Sequence, residues 1–113
     1  MRAMDALPPE ITQHLDEVRA LCERHSVKRL SIFGSAVKGT FDPTTSDVDF
    51  VVEFLPELRR TGFADPSLSL AVALESLFGR QVDLVERRLL ENPYFREVLA
   101  LTERCVYESS RAA

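Results

Sequence analysis

Short strand-type segments separated by helix-type segments restrict this chain to a mixed α/β fold. Three segments are rich in β-branched and aromatic residues and are predicted strands: 27–33, 47–55 and 82–85. Apolar residues at helical spacing stand before, between and after them. A chain of 113 residues suffices for one hydrophobic core, and no repeat or linker divides it. We therefore predict one domain over 1–113, with a small mixed β-sheet flanked by helices.

Helix boundaries are marked by proline and asparagine. We predict one helix over 8–25, a second over 66–78, and a third that Asn92 caps. A short helical turn should follow Gly34, and a last extended segment is predicted at 105–107. The face of the third helix that is predicted to pack inward carries Phe95, Val98, Leu99 and Thr102.

The composition excludes several classes of protein. The formal net charge is −4, and proteins that grip a phosphate backbone usually have a basic face, so we expect no direct nucleic-acid binding. No apolar run reaches the ~18 residues of a membrane span and the start lacks a signal-peptide core, so the expected location is cytoplasmic. Cys22 and Cys105 have no CxxC-type neighbour and are predicted to be buried free thiols. The charged run 86–88 is interpreted as a solvated turn.

Two aspartates at the start of the second predicted strand are the strongest chemical signal. Asp47 and Asp49 are two residues apart, so both carboxylates leave a strand from the same face, with Cα atoms ~6.5 Å apart. Two like charges ~4 Å apart repel by about 4 kcal/mol at an effective dielectric of ~20. Such a pair persists if one carboxylate is protonated or a cation neutralises both, and Mg²⁺ suits oxygen ligands beside phosphates. Taken alone, a pair of this kind is more often solvated at a strand edge.

Asp83 is the predicted third member of the acidic site. It lies among the apolar residues of the third predicted strand, where an acidic residue needs a reason. If that strand lies beside the strand of Asp47 and Asp49, three carboxylates converge. They can then hold two cations and place a base near an acceptor hydroxyl. The alternative interpretation of Asp83 is an exposed residue on a strand edge.

Gly34 and Ser35 form the predicted anion-binding pole of the site. A glycine at a strand end allows close backbone approach, and Ser35 offers a hydroxyl and a backbone N–H at the start of a helical turn. Lys38 can reach the same phosphates as a point charge. Ser46, directly before Asp47, is also assigned to the nucleotide-binding set. A glycine–serine pair alone usually marks only a turn, and the prediction depends on its occurrence together with the aspartates.

Two longer segments resemble a known enzyme family. They read FGSAVKGTFDPTTSDVDFVVEF and LFGRQVDLVERRLLENPYFRE. From Ile11 to Tyr107 the chain resembles the minimal nucleotidyltransferases of the DNA-polymerase-β-like superfamily. More narrowly, it is similar to the MNT-type antitoxins that are encoded beside HEPN-domain toxins. The resemblance implies a polymerase-β-like nucleotidyltransferase core, in which the Asp83 strand lies beside the strand of Asp47 and Asp49.

The resemblance also implies roles for the individual site residues. Gly34 and Ser35 would contact the phosphates of a nucleoside triphosphate. Asp47 and Asp49 would bind both Mg²⁺ ions, and Asp83 would help to hold the catalytic metal and act as a base. Lys38 departs from the family pattern, because many relatives carry arginine there, whose planar fork binds phosphate through two hydrogen bonds.

These observations lead to a first hypothesis and three alternatives. The chain holds a donor nucleotide but offers no further segment to bind an acceptor, so the acceptor should arrive on another molecule. By resemblance, the first hypothesis is an antitoxin that transfers AMP from ATP onto a tyrosine of a HEPN-domain toxin encoded nearby. The alternatives are a weakly active or inactive module that neutralises a toxin by binding, an enzyme that modifies a small molecule, and a template-directed polymerase. The acidic composition argues against the last alternative.

Overall fold

Helices and strands alternate along most of the chain. The computed structural model describes residues 7–38, 47–56 and 66–110. The helices in these ranges are α1 (Pro9–Thr12), α2 (Leu15–Arg24), α3 (Ser35–Lys38), α4 (Pro66–Phe78) and α5 (Pro93–Thr102). The strands are β1 (Val27–Phe33), β2 (Val48–Phe54), β3 (Val82–Glu86) and β4 (Arg104–Glu108), and a 3₁₀ turn (Arg87–Leu89) follows β3. The extension of the domain over all of 1–113 stays a prediction, because the remaining residues lie outside the described ranges.

The four strands form one mixed sheet in the order β3-β2-β1-β4. β1 is antiparallel to both of its neighbours, whereas β2 and β3 are parallel. A parallel pair needs a crossover connection, and α4 supplies it between β2 and β3. The predicted mixed sheet with flanking helices is therefore confirmed.

The main hydrophobic core lies between one face of the sheet and helices α2 and α4. Alternate positions of β2 point into it, as the period of two in a strand requires. Leu70 and Leu74 of α4 and Cys22 of α2 are fully buried there. The other buried members include Val18, Leu30, Ile32, Val48, Phe50, Val52 and Val82.

The second face of the sheet is covered in part by α5. Asp49 and Val51 alternate with the core residues of β2 and therefore belong to this face. Phe95 of α5 meets Phe33 of β1 edge to face, with ring centroids 6.2 Å apart. Leu99 is 1% exposed, whereas Phe95 and Val98 are 37% and 36% exposed. The predicted inward face of this helix is thus confirmed at Leu99, whereas Phe95 and Val98 remain partly exposed.

The start of α5 has the predicted cap. The Asn92 side chain accepts hydrogen bonds from the backbone N–H groups of Tyr94 and Phe95, at 2.9 and 3.2 Å. Pro93 follows at the first helical position, where its missing N–H costs nothing. The cap fixes where the helix begins and therefore which side chains of its first turn face the sheet.

The predicted helix over 8–25 is interrupted, so this prediction is wrong in one respect. α1 ends at Thr12, and α2 begins only at Leu15. Between them His14 has φ −112° and ψ 10°, and its ring packs edge-on against Phe78 with centroids 5.6 Å apart. Apolar spacing does not reveal the break, because Ile11 before it and Val18 after it are both buried.

Arg87 connects three elements on the second face. Its Nε lies 3.1 Å from Oε2 of Glu53 in β2, and its guanidinium donates a hydrogen bond to Glu103, directly after α5. The Glu103 side chain is only 7% exposed. Burial raises the pKa of Glu103, but the hydrogen bond and charge of Arg87, together with Ser31 and the charge of Arg29, outweigh it, so the pKa lies below its usual value. The interpretation of 86–88 as a solvated turn is therefore wrong for Arg87.

The thiols and helix lengths bear on two further predictions. Both cysteines are free, with Cys22 buried and Cys105 half-buried. Burial raises the pKa of the Cys22 thiol to about 12. Within the described ranges no helix is long and apolar enough to cross a membrane.

Candidate active site

The chain turns sharply at Gly34, between β1 and α3. The φ of Gly34 is +76°, in the left-handed region that residues with a Cβ rarely adopt. The Gly34 carbonyl accepts a hydrogen bond from the Val37 N–H at 3.0 Å, which starts the predicted short helical turn. Ala36 of that turn is buried in the main core and holds the turn against the sheet.

Gly34 lies directly against the carboxylate of Asp49. A Cβ added at Gly34 would stand 2.2 Å from Oδ2 and 3.1 Å from Cγ of Asp49, closer than real contacts allow. The sheet register explains this approach, because Phe33, the residue before Gly34, pairs with Asp49. The glycine turn and the aspartate motif, separate in sequence, therefore meet in one place.

Asp83 lies in register with Asp49 on the neighbouring parallel strand. Paired residues of adjacent strands have Cα atoms ~4.8 Å apart and direct their side chains to the same face. The predicted adjacency of the Asp83 strand and the Asp49 strand is thus confirmed. Asp83 is exposed on the edge strand, and Asp49 is half-buried one strand further in.

Asp47 is exposed directly before β2. The N–H of the next residue, Val48, donates to the Gln81 carbonyl at 3.1 Å, so the backbone here is tied to the segment that leads into β3. As the side chains stand, no three Asp, Glu, His or Cys residues in the described ranges are grouped to hold a metal ion. The fold thus brings Asp49 together with Gly34 and in register with Asp83, but it does not gather the three carboxylates around one point.

Three further residues, Ser35, Lys38 and Ser46, were predicted to bind the nucleotide. The backbones of Ser35 and Lys38 belong to α3, which packs against β1 and β2 beside Gly34. Ser46 lies outside the described residues, as do the other residues of 39–46. The assignment of these three residues to nucleotide binding stays a prediction.

The donor set fits a hard divalent cation. Asp49 and Asp83 present carboxylate oxygens from one face, and Mg²⁺ prefers oxygen ligands and often binds through one or two carboxylates together with phosphate oxygens. The absence of a Cβ at Gly34 keeps the backbone open beside the same carboxylate. The arrangement can therefore receive a polyphosphate and its cations between a backbone turn and acidic side chains.

The position of α5 beside this site was not predicted. The contact between Phe33 and Phe95 places the first turn of the helix next to Gly34. The Asn92-Pro93 signal located the start of the helix but carries no information on which strand the helix crosses. The aromatic residue directly before the glycine turn was the available signal, because an aromatic side chain on a sheet face commonly packs on another element.

Comparison with known proteins agrees with this geometry. The family model described as a nucleotidyltransferase domain matches residues 17–104. Protein adenylyltransferase MntA of Thermococcus cleftensis is 33% identical over 101 residues, covering 88% of this chain and 92% of that protein. A solved chain described as a minimal nucleotidyltransferase has TM-score 0.68 and 29% identity and covers 92% of this chain and 95% of its own length.

A more distant solved structure shares the fold. It contains the tri-AMPylated HEPN toxin of Shewanella oneidensis in complex with its MNT antitoxin. The matching chain has TM-score 0.59 and 18% identity, covering 88% of this chain and 74% of that one. At this identity the likeness shows that the two chains share a fold.

Proposed function

Because this chain belongs to the nucleotidyltransferase domain family, we propose that it is an antitoxin that transfers AMP from ATP to a tyrosine of a HEPN-domain toxin. The observation that carries the proposal is the close approach of Gly34 to the Asp49 carboxylate, with Asp83 in register beside Asp49 on the neighbouring strand. The relative MntA of Thermococcus cleftensis is a protein adenylyltransferase, which supports AMP as the transferred group and a protein as the acceptor.

The proposed reaction is a displacement at the α-phosphorus of ATP. The tyrosine oxygen forms a bond to this phosphorus, the bond to the bridging oxygen of the β-phosphate breaks, and pyrophosphate leaves. The hydroxyl proton passes to a carboxylate, for which Asp83 is the proposed acceptor. Protein catalysis of this chemistry consists mainly of positioning and charge neutralisation.

Two groups of side chains share the work in this proposal. Gly34, Ser35, Lys38 and Ser46 bind and orient the triphosphate. Asp47, Asp49 and Asp83 would hold two Mg²⁺ ions. When bound, these ions would neutralise the charge of the phosphates and of the leaving pyrophosphate. The half-burial of Asp49 against Gly34 supports a fixed position for one carboxylate, which pre-organised charge stabilisation requires.

The partner and compartment follow from the same reasoning. A tyrosine acceptor has to enter the open face beside Asp83, which is exposed on the edge strand β3. The solved complex of an AMPylated HEPN toxin with an MNT antitoxin supports a toxin of this class as the partner. We place the reaction in the cytoplasm, where reduced thiols such as Cys22 persist.

The test is transfer of radiolabelled AMP from ATP to the proposed HEPN-domain partner. Asp49→Asn and Asp83→Asn should each lower the rate by about a hundredfold or more, because each removes a charge-stabilising group. Chelation of Mg²⁺ should abolish the label. Glu108→Gln is a matched control, since it neutralises an exposed carboxylate on the opposite edge strand, β4. Labelling that persists in both aspartate variants would sink the proposal in favour of a binding module.

A further inference from the structure

The exposed apolar residues of α5 form a stripe that the proposed chemistry does not use. Tyr94, Val98 and Leu101 follow one another at steps of four and three, so they lie on one side of the helix. Tyr94 and Leu101 are each 76% exposed. These three residues are called the α5 stripe. Soluble proteins commonly expose single apolar residues, but a contiguous group marks a contact surface.

The α5 stripe lies on the side of the helix opposite Arg96. At 100° per residue, Phe95 and Leu99 stand between the stripe and Arg96 around the helix. Phe95 contacts Phe33, which pairs with Asp49 and precedes Gly34. Arg96 instead lines a cavity of about 300 Å³ at the other end of the strands, together with Lys28 and Phe54 of β1 and β2. The stripe therefore continues from Phe95 toward the end of the sheet that carries Gly34 and Asp49.

We propose that the α5 stripe is the docking surface for the protein that this chain modifies. The inference rests on the proposed function, because the acceptor tyrosine has to reach the same end of the sheet. A macromolecule that brings a hydroxyl to Asp83 approaches the same end of the sheet as the contact between Phe95 and Phe33, which lies two strands away on β1. The occupant is the HEPN-domain toxin, with apolar side chains against the stripe and its acceptor tyrosine at the site. Apolar anchors with an aromatic member are the typical energetic centre of such an interface.

A second exposed apolar pair provides a matched control. Leu68 and Val72 of α4 are 59% and 55% exposed and are also four residues apart. α4 packs its Leu70 and Leu74 on the opposite face of the sheet, away from Asp49. The pair is thus similar in chemistry and spacing but lies where an acceptor bound at the site cannot reach it.

The experiment compares two double variants in binding and in transfer. Tyr94→Ser with Leu101→Ser should weaken binding of the HEPN-domain protein by about tenfold or more, measured by calorimetry. Leu68→Ser with Val72→Ser should bind as the parent does. In the transfer assay the first double variant should raise KM for the HEPN-domain protein with kcat little changed, since only uniform binding is lost. Thermal unfolding should differ little among the three proteins, because all four positions are exposed.

The same measurements separate the docking surface from the proposed chemistry. Binding is also measured with Asp49→Asn in place of the parent, so the loss caused by the α5 changes is visible even if no AMP is transferred. Equal binding by the α5 variant and the parent overturns the docking proposal, whatever the transfer assay gives. Loss of self-association in place of partner binding, seen by analytical ultracentrifugation, also overturns it and assigns the stripe to a second copy of this chain.

Discussion

Replacing Gly34 with alanine tests whether the glycine turn and the Asp49 carboxylate act as one site. Alanine would keep a φ of +76°, which costs an L-residue about 1–2 kcal/mol. Its Cβ would stand 2.2 Å from Oδ2 of Asp49, whereas ordinary contact begins at 3.4 Å. The carboxylate must therefore move by roughly 1 Å, and overpacking of this kind costs a further ~1–3 kcal/mol. A displacement of ~1 Å near a reacting centre can lower the rate ~100-fold, and we expect that fall in AMP transfer.

Gly79→Ala is the matched control for the backbone cost. Gly79 has φ +66°, but an added Cβ there meets no atom within 4 Å. It should lose about 1–2 kcal/mol in unfolding free energy, measured in urea, with transfer unchanged. In an Asp49→Ala background the additional cost of Gly34→Ala should vanish, because Oδ2 is gone. Gly34 and Asp49 do not act as one site if Gly34→Ala destabilises the protein no more than Gly79→Ala, or if it transfers AMP at the parent rate.

Three further predictions concern stability and reactivity. Arg87→Ala leaves the buried Glu103 carboxylate without its guanidinium and should lower the unfolding free energy by about 3 kcal/mol; an unchanged melting temperature would contradict this. The pKa of Glu103 is lowered on folding, so the stability that it contributes is complete above about pH 4.5 and is lost as the pH falls through the folded pKa. In a plot of unfolding free energy against pH, Glu103→Gln should therefore reduce the loss on the acid side. Cys22 has a pKa of about 12 and is fully buried, so it should resist alkylation at pH 8 until the protein unfolds, as peptide mapping would reveal.

The strands of this fold were predictable because their signal is local. Segments 27–33 and 82–85 are short and rich in β-branched and aromatic residues, and the observed strands begin at the predicted residues. The second strand begins one residue later than predicted, so Asp47 lies just outside it. The helix over 8–25 was predicted without its break, because both halves bury residues on one continuous side.

Contacts between elements could be predicted only in part. The adjacency of the Asp49 and Asp83 strands was an expectation from resemblance, and the register confirms it. Which atoms meet at Gly34 depends on that register and on a left-handed backbone, neither of which a sequence pattern encodes. From the sequence, Arg87 was interpreted as part of a solvated charged turn, because its partners Glu53 and Glu103 are distant in sequence.

The proposed AMP transfer is tested most directly by the intact mass of the HEPN-domain partner after incubation with this chain, ATP and Mg²⁺. We expect an added adenylyl group on the partner with the parent chain, which peptide mapping should assign to a tyrosine, and an unmodified partner with Asp49→Asn. A partner that stays unmodified with the parent chain, or equal modification by Asp49→Asn, would rule out the proposed reaction.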